Sequence, residues 1–208
     1  MMFYYRPPDL LRRLFPDLVW RMPAEDNAVY LTFDDGPDPE GTPRLLDLLA
    51  EHGIKATFFC VGRQVEKFPA IFERIKKEGH GVGNHTYSHL SGWTTSNKKY
   101  FEDIERADKI IGSRLFRPPY GRIRPSQIRH LKQKYIIFMW DLMTGDFSPR
   151  QTPEKISRRV EKYLRPGSVV VGHDLIIQNN ATNSFLTGKV FKKEILSNTL
   201  HSFSNNPA

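Results

Sequence analysis

Thr32-Phe33-Asp34-Asp35-Gly36-Pro37 follows the apolar, β-prone run Ala28-Val29-Tyr30-Leu31. A strand through that run delivers two adjacent carboxylates to its own C-terminal end. Gly36-Pro37 then stops the strand and turns the chain. Successive strand side chains point to opposite faces, but a turn can splay both acids into one cleft. Neighbouring carboxylates repel, so separate tasks call for a metal on one and an Arg on the other. Taken alone, the pair also reads as a solvated Asx-turn. The rest of the chain, however, places histidines and an Arg after later strands.

Outward from this stretch, strand and helix alternate. The first strand, 29–33, is followed by a helix with Thr42 as N-cap, Pro43 in its first turn, Leu45, Leu48 and Leu49 on one face and Gly53 beyond its end. A strand over 55–61 leads to a helix carrying Phe68, Ile71, Phe72 and Ile75 and stopping at Gly79. Next come a strand over 81–84, a long helix through Tyr100, Ile104, Ala107 and Ile111, and a short strand ending at Phe116-Arg117. A helix near 125–132, a strand over 135–140, a helix opened by Thr152-Pro153 and a strand over 168–171 complete the pattern. Repeating βα units predict parallel strands with helices outside. Six strands with polar motifs at their C-terminal ends predict a barrel-like sheet with the site on that rim. An open doubly wound sheet is the alternative, and the missing Gly-rich phosphate loop after the first strand weighs against nucleotide binding.

At 208 residues without a linker or repeat, the chain reads as one domain. Its apolar share of 39% and charged share of 26% are those of a soluble globular protein. The net charge of +8 could suit an anionic surface or polymer, but scattered cations read first as a solvated basic surface. The cations are scattered and no RNA- or DNA-binding motif is present, so no nucleic-acid partner is expected. The single cysteine, Cys60, excludes an intramolecular disulfide and, in an apolar strand pattern, reads as a buried thiol. Arg6, Pro7, Pro8, Arg12, Arg13 and Pro16 break the apolar pieces of the first 23 residues, and no run is long enough to span a membrane. The expectation is a cytoplasmic protein with no membrane partner, an extracytoplasmic location being the alternative. Residues 1–27 read as an irregular lead packing on the barrel, 28–175 as the main α/β domain, and 176–208 as an atypical Asn-rich tail, either part of the same domain or partly disordered, in which Val190, Phe191, Ile195 and Leu196 would form one short helix.

Four further motifs carry chemistry. His85-Thr86-Tyr87-Ser88-His89 sets two imidazoles at i and i+4, which face one ion from a helical turn or a tight loop. With a carboxylate from 34–35 they make a three-ligand site with open positions, the catalytic pattern, for which Zn²⁺ is the default and Co²⁺, Ni²⁺ or Mn²⁺ are accommodated. Arg117-Pro118-Pro119-Tyr120-Gly121 is either an ordinary proline turn or a rigid frame aiming a backbone N–H at a developing oxyanion, with Arg117 able to hold a carboxylate bidentately. Trp140-Asp141-Leu142-Met143-Thr144-Gly145-Asp146-Phe147 puts two acids and two aromatics on the rim, Trp140 reading as core packing. Val169-Val170-Val171-Gly172-His173-Asp174 ends a strand in a His suited to acid or base work near neutral pH.

The motif order TFDDGP, HTYSH, RPPYG, WDLMTGDF and VVVGHD resembles the polysaccharide deacetylases of carbohydrate esterase family 4, the NodB-homology domain, from about Val29 to Asp174. The resemblance implies an α/β fold, a distorted (β/α)7 TIM-like barrel, and metal-dependent removal of N- or O-acetyl groups from sugars. It makes Asp34 the general base and Asp35, His85 and His89 the metal ligands. Arg117 pairs with Asp34, the Tyr120 N–H helps bind the oxyanion, and His173 is the general acid, oriented by Asp146. Phe147 stands where the family usually has Trp, as a groove wall, and Val171 joins the substrate-side residues. Met143 stands where many members have a further Asp, which predicts an acid network rerouted through Asp141. Trp93 reads equally as a sugar-stacking wall or as core filler. The implied partner is an N-acetylated glycan or oligosaccharide. A small-molecule amidohydrolase cutting a cyclic imide or ureide, and a non-catalytic sugar-binding protein, are the alternatives.

Overall fold

Every residue of the first strand is buried, and the sheet is built around it. The computed structural model describes residues 5–25, 28–148, 150–174 and 196–197. In chain order the elements are α1 (Asp9–Leu14), β1 (Ala28–Asp34), α2 (Gly41–Glu51), β2 (Thr57–Cys60), α3 (Gly62–Lys67), α4 (Pro69–Lys77), β3 (Gly81–Asn84), α5 (Asn97–Ile111), β4 (Leu115–Phe116), α6 (Pro125–Leu131), β5 (Ile136–Ile137), β6 (Leu142–Met143), α7 (Pro153–Tyr163), β7 (Val169–His173) and β8 (Leu196–Ser197). The strands run parallel in the order β5-β4-β3-β2-β1-β7-β6, with β8 beside the start of β1. The sheet curls into a distorted (β/α)7 barrel. Among the described residues no helix is long and apolar enough to cross a membrane.

Strand alternation sorts the core into layers. Leu31 and Phe33 pack outward with Leu45, Leu46 and Leu49 of α2 and Ile156 and Val160 of α7. Tyr30 packs inward with Phe59, Leu115, Phe138 and Val169. Tyr100 and Ile104 of α5 and Ile128 and Leu131 of α6 cover Phe116 and Ile137. The lead touches both flanks of the sheet: Val19 bridges Phe138 and Arg21 bridges Ser168. Cys60 is buried, and burial pushes its thiol pKa well up.

Several elements differ from the sequence-based expectation. Thr42 is not the N-cap of α2; it lies inside the helix, and its hydroxyl accepts from Asp38 N and donates to Asp174 Oδ2. Asp38 Oδ1 instead accepts from the amides of Glu40 and Gly41. The short helix α3 and the two-residue strand β6 fall in stretches read as connections. Leu196–Ser197 is a strand and not part of a helix. The other positions of that expected tail helix lie outside the described residues.

Candidate active site

The C-terminal ends of β1 and β7 are level with each other, since Asp34 is in register with His173. Inward-facing Thr32 and Asp34 receive the side chain of Arg117, which is fully buried inside the barrel. Arg117 Nη1 donates to Asp34 Oδ1 at 2.7 Å and to Thr32 Oγ1 at 2.7 Å, and Nη2 donates to the Met139 carbonyl at 3.0 Å. The pairing with the carboxylate is therefore monodentate, not bidentate, because the second arm of the fork is spent on backbone. The guanidinium also lies over the Phe59 ring, 4.1 Å from its centroid. Burial pulls the Arg117 pKa down and Asp34 opposes that pull. Thr32 went unread in the sequence; it also donates to the Val170 carbonyl and so ties the pair to β7.

Asp35 stands one residue past β1 with φ 84°, and Gly36-Pro37 is a cis peptide. A side chain at position 36 would collide with the Asp174 carboxylate, so this turn needs glycine. Asp35 Oδ1 faces His89 Nε2 at 3.0 Å and His85 Nε2 at 3.5 Å. The ligand atoms of Asp35, His85 and His89 lie within 4.8 Å of one another.

The histidine loop is held for this purpose. His85 Nδ1 lies 2.7 Å from the Arg117 carbonyl, which only accepts, so Nδ1 carries the hydrogen and Nε2 presents its lone pair. Tyr120 Oη lies 3.1 Å from His89 Nδ1, leaving Nε2 toward Asp35. The i, i+4 pair sits in a tight loop and not on a helical turn: Thr86 and His89 have φ 63° and 57°. Asn84 Oδ1 accepts from Thr86 N, and Asp103 Oδ2 accepts from the amides of Tyr87 and Ser88. Neither Asn84 nor Asp103 was singled out in the sequence, since each acts through backbone that only the folded loop presents.

Asp35, Thr86, His89 and Tyr120 are the described non-glycine residues with left-handed backbone, and all four lie at this site. Such residues cost about 1–3 kcal/mol each and persist only where their surroundings over-determine them.

A divalent ion fits these residues. Asp35 Oδ1 is buried without a hydrogen-bond donor among the described residues, although two imidazole nitrogens face it. An anion set against the His85 Nε2 lone pair, with His89 Nε2 beside it, calls for a cation among them.

On the far side, Asp146 grips His173 twice: Oδ1 lies 2.7 Å from Nδ1, and Oδ2 accepts from the His173 amide at 2.7 Å. A carboxylate only accepts, so Nδ1–H is fixed and Nε2 is the position that exchanges protons. Burial pulls the His173 pKa down, but Asp146, with Asp35 and Asp34, raises it to about 9 from 6.5. These carboxylates favour the protonated imidazole. Asp146→Asn removes the chief upward influence and leaves burial, so the alkaline limb of kcat/KM should move to lower pH. A pH–rate profile checks this; an unmoved limb would detach Asp146 from the acid.

The remaining expected residues divide. Phe147 stands edge-on to His173, with ring centroids 5.5 Å apart. Val171 is fully buried, in register with Thr32 and Met143, and so forms part of the floor below His173. Trp93 is 56% exposed, which removes the core-filler reading. Asp141 is not on the rim and takes no part in the acid network. It lies before β6 and is paired with Arg12, Arg165 and Ser168. Asp174, which no sequence reading used, is fully buried against Thr42 and Gly36, and burial pushes its carboxyl up to about 7.

A family model described as polysaccharide deacetylase matches residues 21–137. A peptidoglycan-N-acetylglucosamine deacetylase of Bacillus cereus is 39% identical over 158 residues, covering 73% of this chain and 57% of that protein. A chitooligosaccharide deacetylase of Azorhizobium caulinodans is 31% identical over 163 residues, covering 74% of this chain and 77% of that protein. The chain thus spans little more than half of the first relative's length. A crystal structure of a peptidoglycan N-acetylglucosamine deacetylase in complex with 4-naphthalen-1-yl-N-oxidanyl-benzamide matches with TM-score 0.85 and 33% identity, over 92% of this chain and 94% of that one.

Proposed function

This chain belongs to the polysaccharide deacetylase family, and we propose that it hydrolyses the N-acetyl groups of an amino-sugar glycan, giving acetate and a free amine. The observation that carries this reading is the meeting, on one rim, of a base pair, an ion site and an acid pair: Asp34–Arg117, Asp35–His85–His89 and His173–Asp146. Zn²⁺ is the ion we infer, because two imidazoles and one carboxylate with open positions are its catalytic ligand pattern. Held there, a divalent ion would supply Lewis acidity to the acetyl carbonyl and to water.

The chain's own groups then divide the proton traffic. Asp34, held in place by Arg117, takes a proton from the attacking water. The Tyr120 amide, set by a left-handed φ of 60°, is the donor we assign to the carbonyl oxygen as it gains charge. His173 delivers its Nε2 proton to the departing nitrogen while Asp146 steadies the imidazolium. Phe147 and Val171 bound the pocket for the acyl group.

The test is acetate release from N-acetylglucosamine oligomers before and after EDTA, and again with Zn²⁺ or Co²⁺ restored. Chelation should abolish release and either ion should recover it. Full release in the apo protein would overturn the metal dependence, and no release with the ion bound would overturn the substrate class.

A further inference from the structure

One buried acid beside the site takes no part in the proton traffic. Asp174 follows His173 at the end of β7 and is fully buried. Its Oδ2 accepts from the Thr42 hydroxyl, while Oδ1 is buried with no hydrogen-bond donor among the described residues. A carboxyl left half unpaired in the interior is costly, so its place calls for a compensating gain.

That gain lies in what the group touches. The carboxyl lies against the Cα of Gly36, where a side chain would overlap Cγ and both oxygens. The Asp174 carbonyl oxygen lies against Gly41 in the same way. The two glycines thus bracket Asp174 and let the turn after β1 close over it. The same turn is tied on its other sides. The Gly36 carbonyl accepts from Val61 N at 2.9 Å, and Thr42 Oγ1 accepts from Asp38 N at 2.7 Å. Asp35, at φ 84°, immediately precedes Gly36. Its Oδ1 has no donor among the described residues, so that oxygen is aimed by the backbone beneath it and not by a hydrogen bond of its own. A left-handed aspartate persists only where its surroundings over-determine it, and Asp174 is the wedge behind this one.

Resting on the deacetylase reading and its ion site, we propose that Asp174 is a positioning residue for Asp35. It wedges the turn after β1 so that Asp35 Oδ1 faces His85 and His89, and thereby sets the affinity for the ion. The end of β7 then serves two parts of the site: His173 faces the leaving group, and Asp174 holds the turn that presents an ion ligand. The wedge needs its shape and an acceptor for the Thr42 hydroxyl, so an amide of the same outline should serve nearly as well as the carboxyl.

The experiment measures the Zn²⁺ dissociation constant by competition with a chromophoric chelator, beside thermal denaturation. Wild type, Asp174→Ala, Asp174→Asn and Thr42→Val are compared. Leu131→Ala, which removes core volume on α6 away from the site, shows how far affinity falls with stability alone. Asp174→Ala should weaken Zn²⁺ binding about 10- to 100-fold, the range carried by groups that orient metal ligands, and Asp174→Asn should stay within about threefold of wild type. Thr42→Val, which loses the hydroxyl that holds the wedge, should fall in between. Leu131→Ala should lower Tm and leave the affinity unchanged. If Asp174→Ala does not fold, Thr42→Val decides. Wild-type affinity in the deciding variant, an equal loss in Leu131→Ala, or a loss in Asp174→Asn as large as in Asp174→Ala overturns the positioning role, while acetate release by the wild type preserves the deacetylase reading. A wild type that neither binds Zn²⁺ nor releases acetate overturns both.

Discussion

Asp34→Asn should lower kcat by about 10²–10⁴-fold while leaving the ion bound, the magnitude a lost general base carries. The substitution is close to isosteric, and an amide oxygen can still accept from Arg117 Nη1. It touches none of Asp35, His85 or His89, whose positions are set by their own loop contacts with Asn84, Asp103 and the Arg117 carbonyl. Metal content measured beside kcat separates the outcomes. Loss of the ion would move Asp34 into the ligand set, and an undiminished rate would remove it as the base.

Arg117→Met should destabilise the fold by about 3–5 kcal/mol, because it strands the Asp34 carboxylate in a water-poor interior. For a domain of this size that corresponds to a fall in Tm of roughly 6–20 °C. The guanidinium ties β1 to the strand-end backbone at Met139 and fills the space over Phe59, so packing is lost along with charge. The double variant Asp34→Leu with Arg117→Met should regain much of the stability, as buried ion pairs replaced on both sides often do, and none of the activity. Thermal denaturation of the single and double variants beside wild type checks this. A single variant as stable as wild type would mean that water reaches the pair and screens it.

The sequence made the barrel legible where strands were long and apolar. β1, flanked by a breaker, could be read from period and composition, and the Gly79 and Gly112 helix stops hold, both glycines having left-handed backbone. It failed at β6, because two residues carry no period. That failure misplaced Asp141: with no strand recognised at Leu142–Met143, Asp141 and Asp146 looked like neighbours on one rim. The intervening strand sends them to opposite ends, Asp141 to Arg12 and Arg165, Asp146 to His173. The histidine spacing was visible, but not the left-handed kinks at Thr86 and His89 that turn both rings inward, since tertiary contacts impose them. The assignments of Asp34, of Asp35, His85 and His89, and of His173 came from family resemblance together with spacing. Thr32, Asn84, Asp103 and Asp174, which support them, have no motif of their own.

The register of β1 against β7 has a consequence for how the protein comes into being. The Thr32–Val170 contact closes a loop of 138 positions, and Asp34 meets His173 in the same ladder. Pairings this remote incur a large loop-closure entropy before any contact offsets it, so they form late. A nascent chain that has already made β1 through β5 holds Asp34, the Asp35–His85–His89 cluster and Arg117, but not yet Asp146 or His173. On the proposed mechanism, acetate release therefore reports the docking of β7 on β1.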